Sequence, residues 1–167
     1  MKATRKNKAV FLDRDGVITS NKGLYYVWKQ ADLQINPGVE DSLKALSERG
    51  YLLIVISNQG GVGKGEYSRK DVENFHAAML ARLAEGGARL DAVYYCPHHP
   101  STGNCLCRKP LPLLFQKAMA RFRIDPARSW MIGDMDRDIE AGEAAGLKGI
   151  RVEANQDLRT ILPLICP

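Results

Sequence analysis

Short continuous runs of apolar residues alternate along the chain with longer stretches whose apolar positions recur every three or four residues. The runs are KAVFL (8–12), YLLIVIS (51–57), DAVYYC (91–96), WMIG (130–133) and KGIRV (148–152). They are too short for helices and rich in β-branched or aromatic residues, which predicts five strands. The intervening spacing predicts four helices. Val39, Leu43 and Leu46 line the first, with Gly50 after Arg49 suited to its C-terminal end. Val72, Phe75, Met79, Leu80 and Leu83 line the second, with Ser68 as its N-cap. Leu113, Leu114, Lys117, Ala118 and Phe122 mark the third, and Ile139, Ala141, Ala144 and Ala145 a fourth that ends at Gly146.

Strands with continuous apolar character, separated by helices, predict an α/β fold: a parallel sheet with helices on both faces. Such sheets bind ligands beyond the carboxyl ends of their strands. The residues that follow each strand are therefore the ones to read for chemistry.

Composition sets the outer bounds. A chain of 167 residues predicts a single domain over 1–167 with one substantial core. Apolar residues at 45% and charged residues at 26% are the balance of a soluble globular protein. No apolar run approaches the ~20 residues of a membrane span, and AVFL is too short for a signal peptide. The expected location is cytoplasmic, with no membrane partner. The net charge of +5 suits anionic substrates. Lys2, Arg5, Lys6 and Lys8 read as a solvated terminus rather than a nucleic-acid arm. No stripe suggests an interface, so a monomer is expected.

Three strand ends carry polar clusters. The first is DRDGVI, with Asp13 and Asp15 separated by one residue. One carboxylate so placed can attack an electrophile while the other moves a proton, and their repulsion calls for a hard cation such as Mg²⁺. D-x-D-G is also a good turn sequence. An EF-hand loop is excluded, because the glycine stands fourth rather than sixth. The second cluster is SNQGGVGKG, in which Ser57, Asn58 and a glycine-rich loop offer a hydroxyl, an amide and backbone N–H groups to a phosphoryl group. Its Gly63-Lys64 pair fails the P-loop spacing. The third is GDMDRD, where Asp134 takes the strand-end position, Asp136 suits a helix N-terminus and Asp138 falls near the helix start.

A fourth feature is YYCPHHPSTGNCLCRKP, which holds three of the four cysteines and two of the three histidines. In a reducing compartment such crowding reads as metal ligands rather than disulfides.

Taken in order, DRDGV, SNQ, RKP and GDMDRD resemble the four motifs of the haloacid dehalogenase (HAD) superfamily of aspartate-nucleophile phosphatases. Within it, the Cys-x-His…Cys-x-Cys pattern before RKP resembles the subgroup of heptose 1,7-bisphosphate 7-phosphatases and histidinol-phosphate phosphatases. The resemblance implies a Rossmann-like fold, Asp13 as nucleophile and Asp15 as acid and base. It implies Mg²⁺ held by Asp13, the backbone of Asp15 and Asp134, with Ser57 and Lys109 on the phosphoryl oxygens and Asp138 orienting Lys109. Substrate recognition falls to Arg108, to Asn21, Lys22, Gly23 and Leu24, and to Ser57, Asn58, Gln59 and Gly60. A structural Zn²⁺ is implied at Cys96, His98, Cys105 and Cys107, in a loop over 96–107; four protein ligands leave no open position for catalysis. The expected substrate is a small phosphorylated sugar, most specifically the 7-phosphate of D-glycero-D-manno-heptose 1,7-bisphosphate. Histidinol phosphate or another small ester is the alternative. A zinc-dependent interaction or nucleic-acid module is the rival from another class, and it leaves the acidic strand ends unexplained. The chain is too short for a large cap domain. His76 and Cys166 are expected to be packing or surface residues.

Overall fold

The computed structural model describes residues 6–167, so Lys2 and Arg5 of the basic start lie outside the described residues. Five parallel strands, β1 (Lys8–Leu12), β2 (Tyr51–Asn58), β3 (Ala92–Cys96), β4 (Trp130–Gly133) and β5 (Lys148–Arg151), form one sheet in the order β3-β2-β1-β4-β5. The chain winds outward from β1 to β3, then returns to the other side of β1 for β4 and β5. The crevice at this reversal opens beyond the ends of β1 and β4, where such sheets place ligands.

The four predicted helices are α1 (Val39–Glu48), α2 (Arg69–Glu85), α3 (Leu113–Phe122) and α4 (Asp136–Ala144), joined by a short α5 (Leu162–Ile165). Ser68 caps α2 as expected: its hydroxyl accepts from the Asp71 N–H at 3.1 Å while Asp71 accepts from the Ser68 N–H at 2.8 Å. Gly50 and Gly146 follow α1 and α4 with positive φ.

Alternation along the strands divides the core. Val10, Leu12, Leu53, Val55 and Ile132 face α1 and α2 through Leu43, Leu46, Met79 and Leu83. Ala9, Phe11, Ile54, Ile56 and Met131 face α3 and α4 through Leu114, Phe115, Ala118 and Ala141. Both faces are covered, which is why the strands read as unbroken apolar runs.

Three helix positions differ from the periodic reading. Leu80 and Ala144 are exposed, and the buried positions of α4 are Asp138, Ala141 and Gly142. Gly142 packs against Met131, where a side chain would collide with that residue's Cβ. In α3 the buried face is Leu114, Phe115 and Ala118, and Lys117 points to solvent. No helix among the described residues is long and apolar enough to cross a membrane. Among the described residues no cap of domain size stands over the strand ends; the longer connections there are the segments 13–38, 59–68 and 97–112.

Candidate active site

Asp13 is the first residue past β1, and its N–H donates to the Ile132 carbonyl of β4 at 3.0 Å. This bond extends the β1–β4 ladder by one residue and brings the Asp13 carboxylate beside Asp134, the first residue past β4. Asp13, Asp134 and Asp138 each offer an oxygen, and the three oxygens lie within 4.8 Å of one another. All three residues are buried. Lys109 enters from the segment before α3 with 2% exposure. Its Nζ lies 2.8 Å from Asp13 Oδ1 and 2.7 Å from Asp138 Oδ1, and it donates to the Ile56 carbonyl at 2.6 Å. Asp138, expected to orient Lys109, stands in a direct ion pair with it.

One lysine does not neutralise three buried carboxylates. Burial, then the Asp138 carboxylate, push the Asp13 pKa up to about 7 against the opposing pull of Lys109. Burial and Asp138 also raise Asp134. Asp134 Oδ1 is buried without a hydrogen-bond partner. An oxygen-lined, anionic pocket with an orphaned carboxylate oxygen fits a hard divalent cation held by Asp13 and Asp134. Gly16 belongs to this geometry: it has φ +86°, and a Cβ there would strike the Asp134 carboxylate.

Asp15 faces the same crevice. Its Oδ1 accepts from Arg14 Nε at 2.8 Å and Thr19 Oγ1 at 3.0 Å, and its Oδ2 from Arg14 Nη2 at 2.8 Å and Gln59 Nε2 at 3.0 Å. Ser57, near the end of β2, is 1% exposed and accepts from Gln59 Nε2 at 2.8 Å, so its own hydroxyl hydrogen remains to donate. Tyr67 donates to Gln59 Oε1 at 2.8 Å and thereby fixes which way that amide points. The Asn58 amide is spent on the Lys109 backbone, donating to its carbonyl at 3.1 Å and accepting from its N–H at 3.0 Å. Asn58 thus ties the end of β2 to the RKP segment.

These groups surround a cavity of about 360 Å³ lined by Asp13, Asp15, Asn58, Gln59, Gly60, Arg108, Lys109 and Asp134 among others. Asn21 and Leu24 also reach its wall. Lys22 and Gly23 do not line it. They form the tip of a turn closed by the Leu24 N–H to the Asn21 carbonyl at 3.1 Å, and that tip points outward.

The sequence reading missed Tyr25, Tyr26, Tyr67, His99, Met135 and Arg137, which complete the wall. Proximity to a strand end marks Met135 and Arg137 in retrospect; nothing local marks Tyr67, which reaches the site from just before α2. Asn155 was missed as well. It exchanges two hydrogen bonds with Asn21, at 3.0 and 2.9 Å, and so holds the Asn21 loop from beyond β5.

The Cys/His cluster is assembled beside the cavity. Cys96, His98, Cys105 and Cys107 offer ligand atoms within 4.8 Å of one another. Cys96 Sγ stands 3.7 Å from Cys105 Sγ, close to the ~3.8 Å edge of a tetrahedron with Zn–S near 2.3 Å. His98 presents Nδ1, 3.5 Å from Cys96 Sγ and 3.2 Å from Cys107 Sγ. Burial, and then hydrogen bonding with Cys107, push the Cys96 thiol well above its ordinary value. A thiolate there therefore needs a cation. Cys107 Sγ stands 3.0 Å from Cys96 Sγ, short of that edge. The donor set itself fits zinc. His99 points elsewhere, with Nδ1 2.7 Å from Ser101 Oγ, in keeping with His98 as the ligand. Arg108 Nη1 donates to the His98 carbonyl at 3.1 Å, so the loop that would carry the metal also holds a cavity arginine. The glycine-rich loop packs on this one: a Cβ at Gly63 would come within 2.8 Å of the His99 nitrogen.

Comparison with known proteins agrees with this geometry. The HAD-hydrolase-like family model matches residues 106–162. A D-glycero-β-D-manno-heptose-1,7-bisphosphate 7-phosphatase of Haemophilus ducreyi is 42% identical over 84% of this chain and 80% of that protein. The protein of the same name from Vibrio cholerae is 41% identical over 83% of this chain and 77% of its own length. Among solved structures, a D,D-heptose 1,7-bisphosphate phosphatase from B. bronchiseptica complexed with magnesium and phosphate superposes with TM-score 0.81. It is 30% identical and covers 94% of this chain and 86% of its own. Neither the acidic cluster nor these relatives fit a zinc-dependent interaction or nucleic-acid module. The chain belongs to the HAD-like phosphatases, in the family of the heptose-1,7-bisphosphate 7-phosphatases.

Proposed function

We propose that this phosphatase removes the 7-phosphate of D-glycero-D-manno-heptose 1,7-bisphosphate, with Asp13 as nucleophile. The observation that carries the reading is the buried Asp13–Lys109–Asp138 chain beside Asp134 at the strand reversal, together with relatives that act on this sugar. Mg²⁺, held by Asp13, Asp134 and the backbone of Asp15, would supply charge neutralisation between nucleophile and phosphoryl group. A carboxylate oxygen of Asp13 bonds to phosphorus as the bond from phosphorus to the sugar oxygen breaks. Asp15 gives its proton to that oxygen. Asp15, now a carboxylate, takes a proton from water, which attacks the phosphorus and releases inorganic phosphate from Asp13. Lys109 and the Ser57 hydroxyl hold the phosphoryl oxygens throughout, so their donors are in place before charge develops.

The walls around the centre decide the substrate. Arg108 offers a cationic fork to a second anionic group, as on a bisphosphate. Tyr25, Tyr26 and Leu24 give the opposite wall an apolar face suited to a sugar ring. Zn²⁺ at Cys96, His98, Cys105 and Cys107 would fix the backbone that ends in Arg108 and Lys109. The test is kcat/KM with Mg²⁺ on the α and β anomers of the heptose bisphosphate and on histidinol phosphate. A heptose bisphosphate is expected to lead by at least about tenfold. Equal or better turnover of histidinol phosphate would overturn the substrate assignment and leave the chemistry standing.

A further inference from the structure

Arg14 is wholly buried directly between the two catalytic aspartates, which is an expensive place for a guanidinium unless every N–H is used. Nε and Nη2 take the two oxygens of Asp15 in a fork, each at 2.8 Å. Nη2 also donates to the Val27 carbonyl. Nη1 is 3.2 Å from His76 Nε2, on helix α2. The ring of Phe75 lies 4.6 Å from Arg14 Cζ.

A guanidinium only donates, so His76 Nε2 accepts and Nδ1 carries the ring proton. Burial and then the Arg14 charge lower the His76 pKa to about 3, which keeps the ring neutral and able to accept. The ring is in turn set by Tyr95 of β3, edge-on at 5.6 Å. The line Tyr95–His76–Arg14–Asp15 thus runs from the edge of the sheet, through α2, to the acid–base carboxylate. Neither His76 nor Arg14 lines the cavity.

We propose that His76 and Arg14 are positioning residues that hold the Asp15 carboxyl in the orientation from which it transfers a proton to the leaving oxygen. The inference rests on the assignment of Asp15 as general acid. Without the His76 acceptor the Nη1 end of the guanidinium is left unpaired in a buried site, and the fork shifts on its remaining contacts to Asp15 and Val27, carrying Asp15 with it. Proton transfer demands alignment within a fraction of an ångström, whereas phosphoryl attack by Asp13 does not depend on this anchor.

The two roles separate by leaving group. Sugar alkoxide needs a proton as it departs; p-nitrophenolate does not. The quantity to measure is the ratio of kcat/KM on a primary sugar phosphate to kcat/KM on p-nitrophenyl phosphate. This parameter ends at loss of the leaving group, so the later attack of water, which also uses Asp15, does not enter it. The folded fraction cancels in this ratio, so a partly unfolded variant still reports. Asp15→Asn sets the scale, with an expected fall in the ratio of about a hundredfold. His76→Leu, which keeps bulk and removes the acceptor, is expected to lower the ratio about tenfold with little change in KM. His76→Gln, which restores an acceptor, should recover most of it. Arg14→Lys, a single-point cation, should behave like His76→Leu. An unchanged ratio in His76→Leu and Arg14→Lys, with the fall present in Asp15→Asn, would overturn the positioning role. An unchanged ratio in Asp15→Asn would instead remove the acid role of Asp15 itself.

Discussion

Lys109 shows how much of this site is decided by single residues. Among the described residues it is the cation that pairs with Asp13 and Asp138 together, and its ammonium is sealed from solvent. Replacing it with Met leaves two buried carboxylates facing each other. Lys109→Met is expected to lower unfolding stability by about 3–5 kcal/mol, more at pH 8 than at pH 5, because protonating the carboxylates relieves the repulsion. Chemical denaturation at both pH values checks it. Asp13, Asp15, Ser57 and Asp134 were legible in the sequence because each sits at or just beyond a strand end, whereas Lys109 was legible only through the resemblance of RKP to a family motif. Arg14 and His76 were not. Arg14 stands inside the first motif but reads as a spacer, and His76 sits in an apolar helix face whose periodicity says only that it is buried. Their meeting is tertiary, across 62 residues.

At the level of elements, the loop between β3 and α3 is the part with little secondary structure to hold it. It contains one short 3₁₀ turn over Pro100–Thr102, and the rest depends on its four ligands and on the Asn58–Lys109 clamp. Cys107 directly precedes Arg108 and Lys109. Cys107→Ser is expected to lower bound zinc, measured by atomic absorption on the purified protein, and to cut kcat/KM by about tenfold or more although zinc touches no phosphate. Full activity in zinc-free protein would confine the metal to folding. The strands were readable to within a residue at each end, since their central positions are apolar and polar residues mark their ends. Helix faces were read less well. Ala144 looks apolar but lies on the solvent side of α4, where Gly142 takes the contact with Met131. Periodicity does not say which small residue touches the sheet.

For the molecule as a whole, the site is a strained concentration of like charge placed where the sheet reverses direction. The order β3-β2-β1-β4-β5 follows from no local signal, yet it is what brings residues 13 and 134 together. The sequence reading named no strand order; it placed the acidic motifs only at the carboxyl ends of one parallel sheet. The strain has a thermodynamic signature. Asp13 titrates near 7 in the metal-free fold against an ordinary 3.8. Its contribution to stability is therefore fully present below about pH 4 and lost as the pH rises through about 7. Bound Mg²⁺ would offset that loss, and protons compete with it at low pH. The rise in Tm on adding Mg²⁺ is thus expected to be larger at about pH 8 than at about pH 5; an equal or inverted shift, read by calorimetry, would place the cation elsewhere.

The central claim is that Asp13 forms the bond to phosphorus. Phosphate release from the heptose bisphosphate by Asp13→Asn, beside the wild-type protein under saturating Mg²⁺, tests it most directly. The amide keeps the volume and removes the nucleophilic oxygen, so turnover is expected to fall on the order of a thousandfold or more while the circular dichroism spectrum stays unchanged. Turnover within about tenfold of wild type in a folded Asp13→Asn protein would contradict the account.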